Sequence, residues 1–250
     1  MTISIGGKGI GHTSASGTTC NGPDTGTINT QTTGSTFVVH VGWYNGGSAT
    51  PAVSDKVGGV STGNSYTQVG STVSLSGDTL FHTAMFECVA GAGGNTHTWT
   101  ITFTGGTPAL ISTFFREVVG GDTSNPRDQH VASEDNHSAA TPYVSQNVTT
   151  TQASEALVAC TWTYTSIGSG NETLTWGNSF TADAQQPDSA DFTGGAASRI
   201  VSSTGTYQSS VTSSGSANAS TAICYLTTYK EAGAGGGSIT IPTYSSYVTA

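Results

Sequence analysis

The sequence predicts an all-β protein, specifically a two-repeat antiparallel β-sandwich of jelly-roll type. Three observations predict this fold class. Apolar residues alternate with a period of two in many short segments, clusters of glycine and other turn formers separate those segments, and one set of landmarks occurs twice along the chain. Many short strands with frequent turns are typical of a sandwich or barrel.

The alternation is clearest in two segments. Phe37, Val39, Val41 and Trp43 are separated by single residues, which predicts a strand over 37–44. In segment 98–104 three large apolar residues alternate with four threonines, so this strand should have one apolar and one hydroxyl face. Four further strands are predicted over 80–89, 109–119, 156–164 and 222–229.

An internal repeat divides the chain into two similar halves. The segment 63–67 (G-N-S-Y-T) recurs as 177–181 (G-N-S-F-T), the strand at 37–43 matches 156–162, and Ile111 matches Ile223. Each half should be a four- or five-stranded antiparallel unit with one apolar face. Two such units facing each other would close a sandwich over residues 1–232, with halves of about 1–121 and 122–232.

Residues 233–250 form a separate segment in this prediction. A glycine-rich linker at 233–237 precedes a strand-like tail, whose candidate partner-binding residues are Ile239, Ile241, Tyr244 and Tyr247. The tail can fold back on its own sheet edge or add a strand to a neighbouring subunit. The sequence leaves both alternatives open.

Composition excludes several partners. Charged residues make up 8% of the chain, and 6 Lys and Arg face 15 Asp and Glu, for a net charge of −9. The basic residues are scattered, so nucleic acid is not an expected partner. No apolar stretch reaches the ~20 residues that span a bilayer, so membrane insertion is not expected either. The first eleven residues lack the pattern of a secretion signal, which predicts synthesis in a cytoplasm, where the four dispersed cysteines should be buried free thiols.

Several segments together resemble a known family. They are V-S-D at 53–55, G-N-S-Y-T at 63–67, A-G at 90–91, N-T-H-T-W-T-I-T-F at 95–103 and E-V-V-G at 117–120. They resemble a β-sandwich domain of tailed-phage virion proteins and bacterial surface proteins. The insert between Asp55 and Asn64 is longer than in that pattern, and Val118 stands where an aromatic residue is usual. The resemblance implies a virion or surface role and supplies no catalytic residues.

Motifs for catalysis and metal binding are weak. A G-x-S-x-G match at 59–63 lies between predicted strands and lacks the strand–turn–helix context of a nucleophile. Glu87 and Glu117 have no acidic partner nearby in sequence, so we interpret them as rim residues or as partners of Arg116 or Lys56. The acidic segment 122–137 lacks calcium-loop order and is interpreted as a solvated connection between the halves, although cation binding stays open. No catalytic residue, metal ligand or cofactor is predicted.

Sugar binding is the alternative that the aromatic residues keep open. Trp43, Trp99 and Trp162 lie on apolar strand faces and are predicted to be core. The candidate surface aromatics for glycan contact are Tyr44, Trp176 and Tyr207.

The predicted function is that of a non-enzymatic structural protein of a bacteriophage virion. It would be made in the host cytoplasm and lie on the capsid or tail surface, as a decoration protein or as a fibre or adhesin for host attachment. Its expected partners are other virion proteins and copies of itself, in a homo-oligomer for which a trimer is favoured, and a host surface glycan. The alternatives are a carbohydrate-binding module and, with no acid, base or nucleophile to support it, a hydrolase.

Overall fold

A computed structural model describes residues 2–13, 16–24, 28, 31–76, 79–136, 142–165, 172–187, 192–214 and 219–233. Within these ranges every regular element is a β-strand and every strand pairing is antiparallel. The predicted all-β sandwich is confirmed. In the part of the chain so described, no helix is long and apolar enough to cross a membrane.

The first half contains two sheets. Its strands are β1 (Ser4–Thr13), β2 (Thr19–Gly22), β3 (Ser35–Tyr44), β4 (Thr50–Val57), β5 (Val60–Ser61), β6 (Thr67–Ser74), β7 (Phe81–Gly91), β8 (His97–Thr104) and β9 (Leu110–Val119). Five of them form a sheet in the order β1-β9-β3-β7-β6, and the other four form a sheet in the order β2-β8-β4-β5.

The second half repeats this arrangement. Its strands are β10 (Arg127–Asn136), β11 (Tyr143–Val144), β12 (Val148–Thr149), β13 (Ser154–Thr165), β14 (Leu174–Trp176), β15 (Thr181–Pro187), β16 (Phe192–Ser202), β17 (Thr206–Tyr207), β18 (Ser210–Ser213) and β19 (Ala219–Lys230). The large sheet has the order β10-β19-β13-β16-β15, which matches the large sheet of the first half strand for strand. Smaller sheets, β11-β18-β14 and β12-β17, complete this half.

The order of the strands in the sheets bears on whether the sandwich is of the jelly-roll type. In the first half, β1, β3, β6, β7 and β9 belong to one sheet, whereas β2, β4, β5 and β8 belong to the other. This alternation between sheets is in keeping with the predicted jelly-roll type, and that type stays a prediction.

The two five-stranded sheets, here called the inner sheets, pack face to face. Residues of both halves form one buried central core, in which the rings of Phe81 and Phe192 stack with centroids 4.0 Å apart. The smaller outer sheets cover the other faces of the inner sheets and close three further cores, one in the first half and two in the second. The sequence predicted one layer per half, whereas the structure has two. An inner sheet contacts a core on both faces, which is why nine of the ten residues of β3 are buried.

The repeat landmarks on β3 and β13 are offset by one residue. The predicted match pairs Trp43 with Trp162, but Trp43 packs in the outer core of the first half and Trp162 in the central core. A shift of one residue turns a side chain to the other face of a sheet. The pairings Tyr44 with Phe81 and Tyr164 with Phe192 instead make the two tyrosines equivalent. The match of Ile111 with Ile223 is displaced in the same way, since these residues also lie in different cores.

Trp162 fills a hole that two glycines create in the central core. A Cβ atom added at Gly42 would lie 2.7 Å from Nε1 of Trp162, and one added at Gly194 would lie 2.8 Å from the same atom. Phe114 and Tyr225 contact the indole from the side, with ring centroids 5.7 and 6.1 Å away. Close packing of the two halves therefore requires glycine at both positions.

Candidate functional site: a groove at the junction of the halves

The residues of the family-like motif meet around one buried carboxylate. Asp55, at the end of β4, is 4% exposed and accepts hydrogen bonds from Asn64 Nδ2 at 2.8 Å and Tyr66 OH at 2.7 Å. Thr62 Oγ1 also donates to it, and Nε2–H of the buried His97 donates at 2.8 Å. Burial raises the pKa of Asp55, but the hydrogen bonds from its four neighbours outweigh that effect and hold the pKa below its ordinary value.

This cluster anchors a loop to the outer sheet. The side-chain amide of Asn64 also donates to the carbonyl of Ala92, and the amide of Ala92 donates back to Asn64 Oδ1 at 2.7 Å. The second copy of the motif differs, because Phe180 replaces the tyrosine and packs in an outer core of its half. The motif that carries the family resemblance is thus a folding element of the first half.

Residues Arg127–Asn136 of the acidic segment form strand β10, which corrects the prediction of a solvated connection. Each carboxylate accepts hydrogen bonds from a different part of the chain: Asp122 from Ser124 and Asn125, Asp128 from Thr151, Glu134 from Ser76, and Asp135 from Val144. His137 lies outside the described residues. Among the residues that are described, no group of three or more His, Cys, Asp or Glu side chains is placed to hold a metal ion.

The two strand glutamates also have partners other than those predicted. Glu117 is 1% exposed and accepts hydrogen bonds from the backbone amides of Gly7 and Thr32 at 2.8 and 2.6 Å. Glu87 lies 3.5 Å from the guanidinium of Arg127. The interpretation of both as rim residues, or as partners of Arg116 or Lys56, is wrong.

The G-x-S-x-G segment at 59–63 forms the β4–β5 hairpin, where Val60 and Ser61 are exposed. The four cysteines, Cys20, Cys88, Cys160 and Cys224, are buried free thiols. Burial raises the pKa of Cys88 to about 11, so this thiol is protonated and unreactive at neutral pH.

A buried ion cluster lies where β1 meets β15 at the edge of the inner sheets. Asp183 Oδ2 is 3.0 Å from Nε of Arg116, and both side chains are fully buried. Its Oδ1 is 2.5 Å from Nζ of Lys8, which is 38% exposed, and it also accepts a hydrogen bond from Ser198 Oγ at 3.0 Å. Burial lowers the pKa of Arg116, and the charge of Asp183 opposes that effect. This cluster joins the first half to the second.

A groove runs along this junction and consists of three adjoining clefts. The middle cleft, of about 570 Å³, is lined by Ile5 and Lys8 of β1 and by Ser198, Arg199 and Ile200 of β16. A cleft of about 400 Å³ adjoins it at Lys8, and one of about 300 Å³ adjoins it at Arg199. Neighbouring clefts share lining residues: Lys8 lines both the first and the middle cleft, and Ser179 and Arg199 line both the middle and the smallest cleft.

Arg199 stands where the middle cleft meets the smallest one. Its guanidinium lies 5.1 Å from the centroid of the Tyr207 ring, and Nη1 donates to the backbone carbonyl of Asn178 at 2.8 Å. Asn178 and Ser179 have left-handed backbone angles, with φ of 53° and 61°. Such angles cost about 1–2 kcal/mol each in residues other than glycine, and strain of this kind often accompanies binding sites.

The structure gives the three predicted surface aromatics different environments. Tyr44 packs against the central core and Phe192, and Trp176 packs against the cores of the second half near Phe180. Tyr207 lines the smallest cleft, but Arg199 covers its ring and its hydroxyl donates to the carbonyl of Ser203. The ring of Tyr207 therefore packs against the guanidinium of Arg199.

Trp43, Trp99 and Trp162 are at most 1% exposed, which confirms that they are core residues. Four of the predicted residues, Ile239, Ile241, Tyr244 and Tyr247, lie outside the described residues.

Lys8 and Arg199 were missed as site residues. They are 191 positions apart in the sequence (199 − 8 = 191), and nothing near either of them indicates a common site. The one available signal was the second copy of the repeated motif, whose exposed Asn178 and Ser179 line the groove.

Comparison with family models, with curated proteins and with solved structures finds no match to this chain. The family relation accordingly stays a resemblance, carried by the motif segments alone.

Proposed function

We propose that this chain is a non-enzymatic structural protein of a bacteriophage virion, exposed on the capsid or tail surface as a decoration protein or as a fibre or adhesin. The observation that carries the proposal is the Asp55 cluster. Asn64, Tyr66 and His97 lie in segments that resemble virion domains, and with Thr62, just before one of those segments, they converge on the carboxylate of Asp55, which lies in another. The resemblance therefore corresponds to a physical device that fixes the shape of the domain.

The outer surface also suits a particle component. On β8 the threonines alternate with buried Trp99, Ile101 and Phe103, so the outer face of this sheet presents hydroxyl groups. The neighbouring strand β2 adds Thr19 and Asn21 to the same face, and Thr100 donates to the Asn21 side chain at 2.8 Å. Apart from Lys56 on the neighbouring β4, this face is uncharged and can pack against another protein with little unpaired charge to bury.

Immunogold electron microscopy tests this proposal. Antibodies raised against the purified chain should label phage particles banded in a density gradient from cultures of the source organism. Particles stripped of the chain, or a preimmune serum, provide the control. Antigen found only in the particle-free fraction of such cultures would refute the virion role.

Light scattering after size-exclusion chromatography tests the expected partners. We expect a homo-oligomer, with a trimer favoured, in the full chain. Loss of oligomers when residues 234–250 are deleted would support a partner-binding tail. A full chain that is monomeric alone and stays free of purified capsids would argue against assembly.

A further inference from the structure

Half of the basic residues of this acidic chain gather at the junction groove. The chain has 6 Lys and Arg and a net charge of −9, yet Lys8, Arg116 and Arg199 all lie at or beside the middle cleft. Asp183, the carboxylate at this place, pairs with both Arg116 and Lys8, so these three side chains together carry one positive charge. Within the described ranges, no carboxylate lies within 4 Å of Arg199. The cleft therefore carries a local excess of positive charge.

The guanidinium of Arg199 is held in place before any ligand arrives. Tyr207 supports one face of it and the carbonyl of Asn178 accepts from Nη1, so little side-chain entropy remains to be lost on binding. A planar guanidinium binds a carboxylate through two parallel hydrogen bonds. A carboxylate is an anion that fits this geometry.

The rest of the groove is lined by uncharged polar groups, by Asp24 and by apolar residues that include Ile5, Ile10, Ile28 and Ile200. Ser179 and Thr181 border the middle cleft, and the side chains of Asn147 and Gln208 border the smaller one. Hydroxyl and amide groups both donate and accept hydrogen bonds, as the hydroxyls of a sugar require. Ile200, which is 46% exposed, offers an apolar surface for the C–H face of a sugar ring.

We propose that this groove binds an acidic oligosaccharide. A uronic acid carboxylate pairs with Arg199, the ring rests on Ile200, and neighbouring sugar units extend toward Lys8 on one side and toward Asn147 and Gln208 on the other. Three neighbouring clefts with shared lining residues suit several linked units better than a single sugar. The site does not depend on the virion role proposed above.

Nucleic acid, the other linear polyanion, fits less well. Binding to its backbone needs an array of Lys and Arg along the strand. Here Asp24 lines the cleft beyond Lys8, so the positive charge is confined to the middle of the groove. Tyr207 is the aromatic residue that lines the described part of the groove, and Arg199 lies over one face of its ring, where a base would otherwise stack.

Isothermal titration calorimetry at low salt with tetragalacturonate tests the proposal. The fully methyl-esterified form of the same oligosaccharide should bind at least tenfold more weakly, since the ester removes the charge that Arg199 recognises. Arg199→Gln should weaken binding of tetragalacturonate about tenfold or more, as expected for the loss of a charge-assisted pair. Lys56→Gln, which makes the same charge change on β4 of the outer sheet, should alter the affinity less than twofold.

A second variant separates an effect on binding from an effect on folding. Ile200→Glu places a negative charge in the cleft at an exposed position and should abolish binding while the melting temperature stays unchanged. Val60→Glu, at a position that is 71% exposed on the β4–β5 hairpin, is its matched control.

Three outcomes would overturn the assignment. One is the absence of tetragalacturonate binding at millimolar concentration. Another is equal binding of the methyl ester, or equal losses in Arg199→Gln and Lys56→Gln. The third is tighter binding of a thymidine oligonucleotide of equal charge, which would make the groove a general polyanion site.

Discussion

Adding one methyl group at Gly42 should lower the free energy of unfolding by about 2–3 kcal/mol. The added Cβ would lie 2.7 Å from Nε1 and 2.8 Å from Cε2 of Trp162, whereas carbon atoms in good contact are about 3.5–4.0 Å apart. The indole would have to move by about 1 Å. Phe81, Phe114 and Tyr225 contact it on its other sides and oppose that movement.

Thermal and urea denaturation of Gly42→Ala, Trp162→Phe and the double variant form a double-mutant cycle that isolates this contact. Each single variant should be destabilised, Gly42→Ala by roughly 5–10 °C in Tm for a chain of this size. The smaller phenyl ring leaves room for the new methyl group. The double variant should therefore be more stable than the sum of the two losses predicts, by at least about 1 kcal/mol.

Gly121→Ala is the matched control, because a Cβ there would meet its nearest neighbour at 3.5 Å, an ordinary contact. It should change stability by less than about 1 kcal/mol. Additive losses in the double-mutant cycle, or no loss in Gly42→Ala, would show that the inner sheets do not pack as described.

Three further predictions concern the outer core, the motif and pH. Trp99→Ala should cost about 3–5 kcal/mol in urea denaturation, because the indole is fully buried, stacks on Phe115 and donates to Thr113; an unchanged stability would place this residue outside the core. Asp55→Ala should cost roughly 3–5 kcal/mol in the same assay, since it leaves several buried donors without an acceptor, and Asp55→Asn should lose less; equal effects of the two variants would contradict the hydrogen-bond account. Burial lowers the pKa of His130 from 6.5 to about 4, so the unfolded chain binds a proton at a higher pH than the folded chain does. The free energy of unfolding should therefore be fully retained above pH 6.5 and should fall by about 3 kcal/mol as the pH drops toward 4. His130→Gln should show a correspondingly flatter stability profile over that range, and identical profiles would show that His130 is not protected in the fold.

The strands themselves follow from local sequence. The predicted segments 80–89, 109–119, 156–164 and 222–229 agree with β7, β9, β13 and β19 to within three residues at each end. The alternation of threonine with Trp99, Ile101 and Phe103 also predicts correctly which face of β8 is buried. Both results depend on the period-two geometry of a strand, which the sequence contains directly.

Strand periodicity did not predict that each half contains two sheet layers. Val38 and Val39 are both fully buried, but they point into different cores. A strand that is buried on both faces loses the alternation that identifies its inward side. The same loss explains the offset of one residue between Trp43 and Trp162, because matching two indoles was the natural alignment where both faces are apolar.

The Asp55 motif could be identified from the sequence, whereas the groove at the junction of the halves could not. The sequence identified Asp55, Asn64 and Tyr66 as one motif, and their convergence follows from a short loop between β4 and β6. The groove instead depends on the packing of one half against the other, which brings β1 beside β15 and β16. Sequence patterns record local periodicity and short-range contacts, and they carry no record of which distant edges meet.

The sequence by itself determined the all-β class, the alternating faces of the strands, the core positions of three tryptophans and the twofold repetition. These depend on side-chain polarity at fixed local spacing. Tertiary structure alone decided that each half has an outer sheet, that Trp162 enters the hole at Gly42, and that Lys8 and Arg199 line one groove. These features arise from close packing between surfaces far apart in the chain, where the fit of particular shapes and charges decides the arrangement.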